Sequence, residues 1–115
     1  MRLRVKNAGN ARVLELHGHL TLGDGDVVLR DAVRQLVEEG HADLVFNMRH
    51  VTRLDSSGVG EMIACLLHVK KKGGNIHLLL PPDHVLSVLG IVGLRLQFPT
   101  FSSELEAVGS FSRSA

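Results

Sequence analysis

An α/β fold is predicted: a mixed β-sheet, built from an N-terminal hairpin plus parallel strands, packed by about four helices. Two patterns carry that expectation. Apolar and polar residues alternate along the first twenty positions, as they do in half-buried antiparallel strands. From residue 42 onward, short apolar runs alternate with segments of helical periodicity, which implies βαβ units with right-handed crossovers. The length agrees, since 115 residues suit one domain rather than two.

The elements follow in order. "RLRVKN" and "ARVLELHGH" read as two strands separated by Ala8-Gly9-Asn10. "LGDGD" breaks the alternation, and Asp24 or Asp26 is placed to cap a helix. Val28, Leu29, Ala32, Val33, Leu36 and Val37 give that helix its apolar face, and Gly40 suits its end. "ADLVFNM" is a buried-strand run, and "RHVTRL" reads as the connector after it. A helix is expected from about Gly58 to Lys72, with Val59, Met62, Ile63, Leu66 and Leu67 on one face. Gly73-Gly74 stops it. "NIHLLL" is another buried strand, and Pro81-Pro82-Asp83 starts a short helix. "GLRLQFPTF" holds a last edge strand, where Pro99 is tolerated. Ser103 to Glu106 forms an S-x-x-E capping box that opens a final helix. The domain is expected to span 1–110, with 111–115 as a frayed tail.

Composition removes several function classes. There is no Trp and no Tyr, so stacking on bases or sugars is not expected. A net charge of +1 leaves no basic footprint for direct nucleic-acid binding. Lys70-Lys71-Lys72 falls at a helix end, where cations suit the dipole. The single Cys65 forms no internal disulfide and sits in an apolar helical run, as a buried thiol would. No secretory signal pattern is seen, so a cytoplasmic location is expected. The apolar stretch from residue 76 is broken by two prolines and carries charge, so no membrane span is expected.

Catalytic and ligand motifs are absent. A serine-hydrolase elbow needs G-x-S-x-G, but Leu54 or Asp55 stands two places before each serine. No His pair has i, i+4 spacing on one helix. His17 and His19 share a strand face, and read as a half-exposed sheet surface rather than a metal site. Neither Gly23-Asp24-Gly25 nor Gly58-Val59-Gly60 completes a nucleotide-binding motif. The chain is therefore expected to be no enzyme and to carry no metal or cofactor.

"VTRLDSSGVGEM" is the stretch that stands out. Asp55, Ser56 or Ser57 could cap the following helix, worth ~1 kcal/mol. One cap needs one such residue, and three are present. Gly58 and Gly60 near the helix start each cost up to ~1 kcal/mol relative to Ala. Local rules broken without an evident structural gain often mark a functional site.

Asp55-Ser56-Ser57-Gly58-Val59-Gly60 resembles the D-S-S-G-L-G signature of the STAS domain, as found in bacterial anti-sigma factor antagonists. The resemblance covers nearly the whole chain. "LVFNM" and "RHVTRL" lead into the signature, "KKKGGNIHLLLPP" follows its helix, and the Gly-Leu and Phe-Pro features near the C-terminus also match. It implies that a serine-kinase anti-sigma factor phosphorylates Ser57, with Ser56 the alternative. The unmodified protein would bind that kinase and free the sigma factor. The phosphorylated form would let go, and a phosphatase would reset it. Asp55, Ser56, Ser57, Gly58 and Val59 are the implied contact residues, with Asp24 and Asp26 expected on the same rim. The pattern departs from the family at Val59, at Asn47 and in "LTLGDGD", which lacks the usual Leu-Asp. The alternative is a STAS subunit that docks constitutively onto a membrane lipid-transport complex.

Overall fold

The structure, a computed structural model, describes residues 1–111. Strands β1 (Arg2–Ala8) and β2 (Ala11–Leu20) form the expected antiparallel hairpin. Helix α1 (Gly25–Glu38), strand β3 (Asp43–Leu54), helix α2 (Ser56–Lys71) and strand β4 (Asn75–Leu79) follow. Helix α3 (Asp83–Ile91), strand β5 (Thr100–Phe101) and helix α4 (Glu104–Gly109) are the last elements among the described residues. The strand order is β1-β2-β3-β4-β5, with every pairing after the hairpin parallel.

Successive strand residues face opposite sides of the sheet, and the chain uses both. Leu14, Leu16, Leu44, Phe46, Met48, Ile76 and Leu78 face one side. There they meet Leu29, Val33 and Leu36 of α1, Met62, Leu66 and Val69 of α2, and Val85 and Leu89 of α3. Val13, Val45 and Leu79 form a smaller cluster with Ala107 of α4 on the other side. Sequential strands joined by crossovers of one hand put their helices on one face, which is why α1 and α2 lie side by side.

Four local features differ from expectation. β3 runs through "RHVTRL" to Leu54, because β2 continues past two register shifts and pairs with it as far as Leu20 opposite Leu54. Backbone pairing there overrides the polar sequence; only Val51 of that segment is buried. Helix α2 starts two residues earlier than expected. A 3-10 turn at Arg95–Gln97 precedes β5, which is only two residues long. Phe111 does not belong to a frayed tail: its ring stacks on His77 with centroids 3.8 Å apart. Residues 112–115 of the expected tail lie outside the described residues. Half of the expected capping box forms, with Glu106 N–H donating to Ser103 Oγ at 3.3 Å.

Candidate functional site

The parallel strands β2 and β3 end side by side, and α1 and α2 begin just beyond them. Their carboxyl ends form the kind of rim where open α/β sheets bind their ligands. The signature stretch lies on this rim.

Asp55 is the N-cap of α2, and its side chain closes two contacts. Oδ1 accepts from the Gly58 N–H at 2.9 Å, and Oδ2 accepts from the Leu22 N–H at 3.0 Å. Its own N–H donates to the Leu20 carbonyl at 3.4 Å. One carboxylate thus ties the β2–α1 loop to the start of α2. Donation from Gly58 first, and from Leu22 next, holds the Asp55 carboxyl below its ordinary value, since both bonds favour the ionised form.

The two glycines near the helix start have different causes. A Cβ at Gly58 would overlap the Leu20 carbonyl oxygen and sit 2.9 Å from Leu54 Cδ1. At Gly25, the first residue of α1, a Cβ would overlap the His19 carbonyl oxygen and sit 2.8 Å from Leu20 Cα. The end of β2 is therefore gripped between the first turns of both helices, and only glycine permits that approach. Gly60 is different: nothing lies within 4 Å of its Cβ position, and the residue is exposed. The fold makes no demand for glycine there.

Asp55 performs the cap, so the serines are spare. Ser56 is exposed and Ser57 half-buried, and neither hydroxyl makes a hydrogen bond among the described residues. Gly58 and Val59 are buried beneath them. Asp24 lies on the same loop as Leu22, but its side chain makes no cap bond; it accepts from the Met1 amino group instead. Asp26 lies in the first turn of α1. It is 6% exposed, and its Oδ1 accepts from the Val27 N–H. The rim's most prominent feature was not foreseen: Leu22, 74% exposed, stands beside Asp55, with the half-exposed Val27 in the first turn of α1. An apolar residue inside a loop of Gly and Asp was the available signal. Asn47 lies on β3 below the rim, where its Oδ1 accepts from the Arg49 N–H.

No group of three or more His, Cys, Asp or Glu among the described residues has metal-holding geometry. His17 instead stacks on His50, with ring centroids 4.6 Å apart. No helix among the described residues is long and apolar enough to cross a membrane.

The family profile described as "Mlab, STAS domain" matches residues 3–96, the hairpin and all of the rim. The chain belongs to the STAS domain family. It is 34% identical over 68 residues to the anti-sigma-B factor antagonist of Bacillus subtilis (strain 168), an alignment covering 59% of this chain and 62% of that protein. Its fold is similar to that of the anti-sigma factor antagonist SpoIIAA in its unphosphorylated form. That match has a TM-score of 0.79 and 20% identity, and covers 97% of this STAS domain and all of that chain. The phosphorylated form of the Bacillus cell fate determinant SpoIIAA matches at a TM-score of 0.74 and 21% identity, covering 94% and 97% of the two chains. At such identities the structural likeness shows the fold alone.

Proposed function

We propose that this STAS domain is an anti-sigma factor antagonist controlled by phosphorylation of Ser57. The unmodified form binds a serine-kinase anti-sigma factor and frees the sigma factor; the phosphorylated form lets go, and a phosphatase restores it. The domain binds and does no chemistry of its own, and it works in the cytoplasm. The observation that carries this reading is the pair of unengaged hydroxyls on an anchored helix start: Asp55 caps α2, so Ser56 and Ser57 are free for another role. The relatives support it, since the partly aligned Bacillus subtilis protein is an anti-sigma-B factor antagonist. Inverting a bound population from 1:99 to 99:1 takes ~5.5 kcal/mol. A phosphate held against an acidic partner reaches that scale through desolvation and repulsion.

Phosphopeptide mapping of the protein from its own cells tests this reading. Trypsin cutting after Arg53 and Lys70 gives "LDSSGVGEMIACLLHVK", which holds both serines and no other hydroxyl residue. Phosphate on Ser57 is expected. Phosphate on Ser56 alone would move the site, and an unmodified peptide in both growth and stress would refute the switch. One observation favours a second reading, constitutive docking onto a membrane lipid-transport complex. Leu22 and Val27 present apolar surface on the rim, which a permanent partner would cover with or without phosphate.

A further inference from the structure

Helices α1 and α2 leave an open groove between them, a cavity of about 370 Å³. It begins one turn beyond Ser57. Residues 57, 61, 64, 68 and 71 of α2 repeat at helical spacing and share one face, so a line drawn from the serine runs down the groove. Buried Val33 and Cys65 are among its lining residues, and Leu67 stands on its edge, 57% exposed.

The charges along this groove are one-sided. Arg30 and Arg34 face it from α1, and Glu61, His68 and Lys71 from α2. Glu61 is the lone carboxylate, and both its oxygens are engaged: Oε1 accepts from Arg30 Nε at 3.0 Å and Oε2 from the Cys65 thiol at 3.5 Å. Asp31, Glu38 and Glu39 border Arg34 on its other side, and the Asp31 charge also reaches Arg30. Arg34 and Lys71 are the exposed cations of the groove without an ion pair among the described residues. A cationic border around an apolar floor selects a ligand that is anionic outside and apolar at one row.

We propose that the α1–α2 groove docks an acidic segment of a partner protein, with one row of apolar side chains against Leu67 and its carboxylates toward Arg34 and Lys71. This rests on the reading of the Ser57 rim as a docking site, and it extends that surface by the length of α2. A partner seated on the serine would meet the groove next. The charge pattern also sets the partner's chemistry: a basic segment is repelled, and an uncharged one gains only the apolar floor.

The test uses the full chain, labelled with ¹⁵N, and two synthetic helical peptides. Both share one row of leucines; one carries Glu and the other Lys at the remaining positions. The Glu peptide is expected to shift the amides of Arg34, Leu67 and Lys71, and to lose affinity as salt is raised. R34E/K71E is expected to bind the Glu peptide roughly tenfold more weakly and to gain the Lys peptide. Both positions are exposed, and an unchanged circular dichroism spectrum checks that the variant folds. Equal binding of the two peptides, shifts confined to other surfaces, or no shift at all would each overturn the proposal. The peptides are read without phosphate. A groove that binds in a chain never phosphorylated in its host would leave this inference standing and remove the phosphorylation reading.

Discussion

Gly58 and Gly60 sit two residues apart on one helix, and alanine should move stability in opposite directions at the two. Each substitution removes a glycine from a helix, a gain of roughly 0.5–1 kcal/mol. At Gly60 nothing opposes the gain, because the new methyl meets open space. At Gly58 the methyl would overlap the Leu20 carbonyl oxygen and approach the Leu20 carbonyl carbon to 3.0 Å. That carbonyl belongs to the end of β2 and accepts from Asp55, so it cannot move alone. Overpacking of this kind costs about 1–3 kcal/mol, which exceeds the helical gain. Gly58→Ala should therefore lose about 1–2 kcal/mol net and melt roughly 4–8 °C lower. Gly60→Ala should melt roughly 2–4 °C higher. Urea and thermal unfolding followed by circular dichroism measure both. A Gly58→Ala protein as stable as the parent would show that β2 is not gripped by α2. A destabilised Gly60→Ala protein would show that the helix start is not open as described.

Three further outcomes are expected. Asp55→Asn should speed hydrogen exchange at the Gly58 and Leu22 amides and flatten the acid limb of the stability curve. The native Asp55 pKa is depressed, so its contribution is complete above the unfolded value, about 3.9, and lost as pH falls through the folded value. An unchanged acid limb would refute its role as the tie. His77 Nδ1–H donates to the Ala107 carbonyl from a buried site, and burial pushes its pKa down. Its contribution is present above the unfolded value, about 6.5, and is lost as pH falls through the folded one, so α4 should loosen in acid. Amide exchange in residues 104–109, compared between the parent and His77→Gln, reads this; equal acid sensitivity would sink it. Cys65 is buried, and burial followed by the Glu61 charge pushes its thiol up. A disulfide reagent at pH 8 should label it only through opening of the fold, so labelling should quicken with mild urea; a fast native-state phase would contradict this.

The helices and the central strands were legible because their apolar residues keep strict periods. Leu29, Val33 and Leu36, and Val59, Met62 and Leu66, are buried as that spacing requires, but Leu67, expected on the same face, is 57% exposed. The second half of β3 was not legible. Arg49, His50, Thr52 and Arg53 are exposed, and their strand state comes from pairing with β2, which no local pattern encodes. The signature was visible as a surplus of cap candidates. Only the folded geometry singles out Asp55 as the cap, because Asp55, Ser56 and Ser57 all cap well in isolation. Gly58 and Gly60 likewise look alike in sequence; only the Leu20 carbonyl separates them. Asp26 was expected as a cap candidate and a contact on the Ser57 rim; its 6% exposure at the start of α1 was not legible in the Gly-Asp loop.

The same geometry sets what a phosphate on Ser57 would do to the domain itself. It would stand in the first turn of α2, at the positive end of the helix dipole, a gain of about 0.3–1 kcal/mol. Glu61 lies four residues further along the same face and opposes it by about 0.2–0.5 kcal/mol. The two nearly cancel, so the modification should change the melting temperature by no more than roughly 4 °C. Releasing a partner takes ~5.5 kcal/mol, far more than this balance supplies. The release must then come from the interface: from the phosphate's charge and bulk beside Leu22 and Ser56, and not from unfolding of the helix. Melting curves and partner titrations on the phosphorylated and unphosphorylated chains separate the two. A phosphoprotein that melts far below the parent would place the switch in the fold, and the cancellation worked from Ser57 and Glu61 would be wrong.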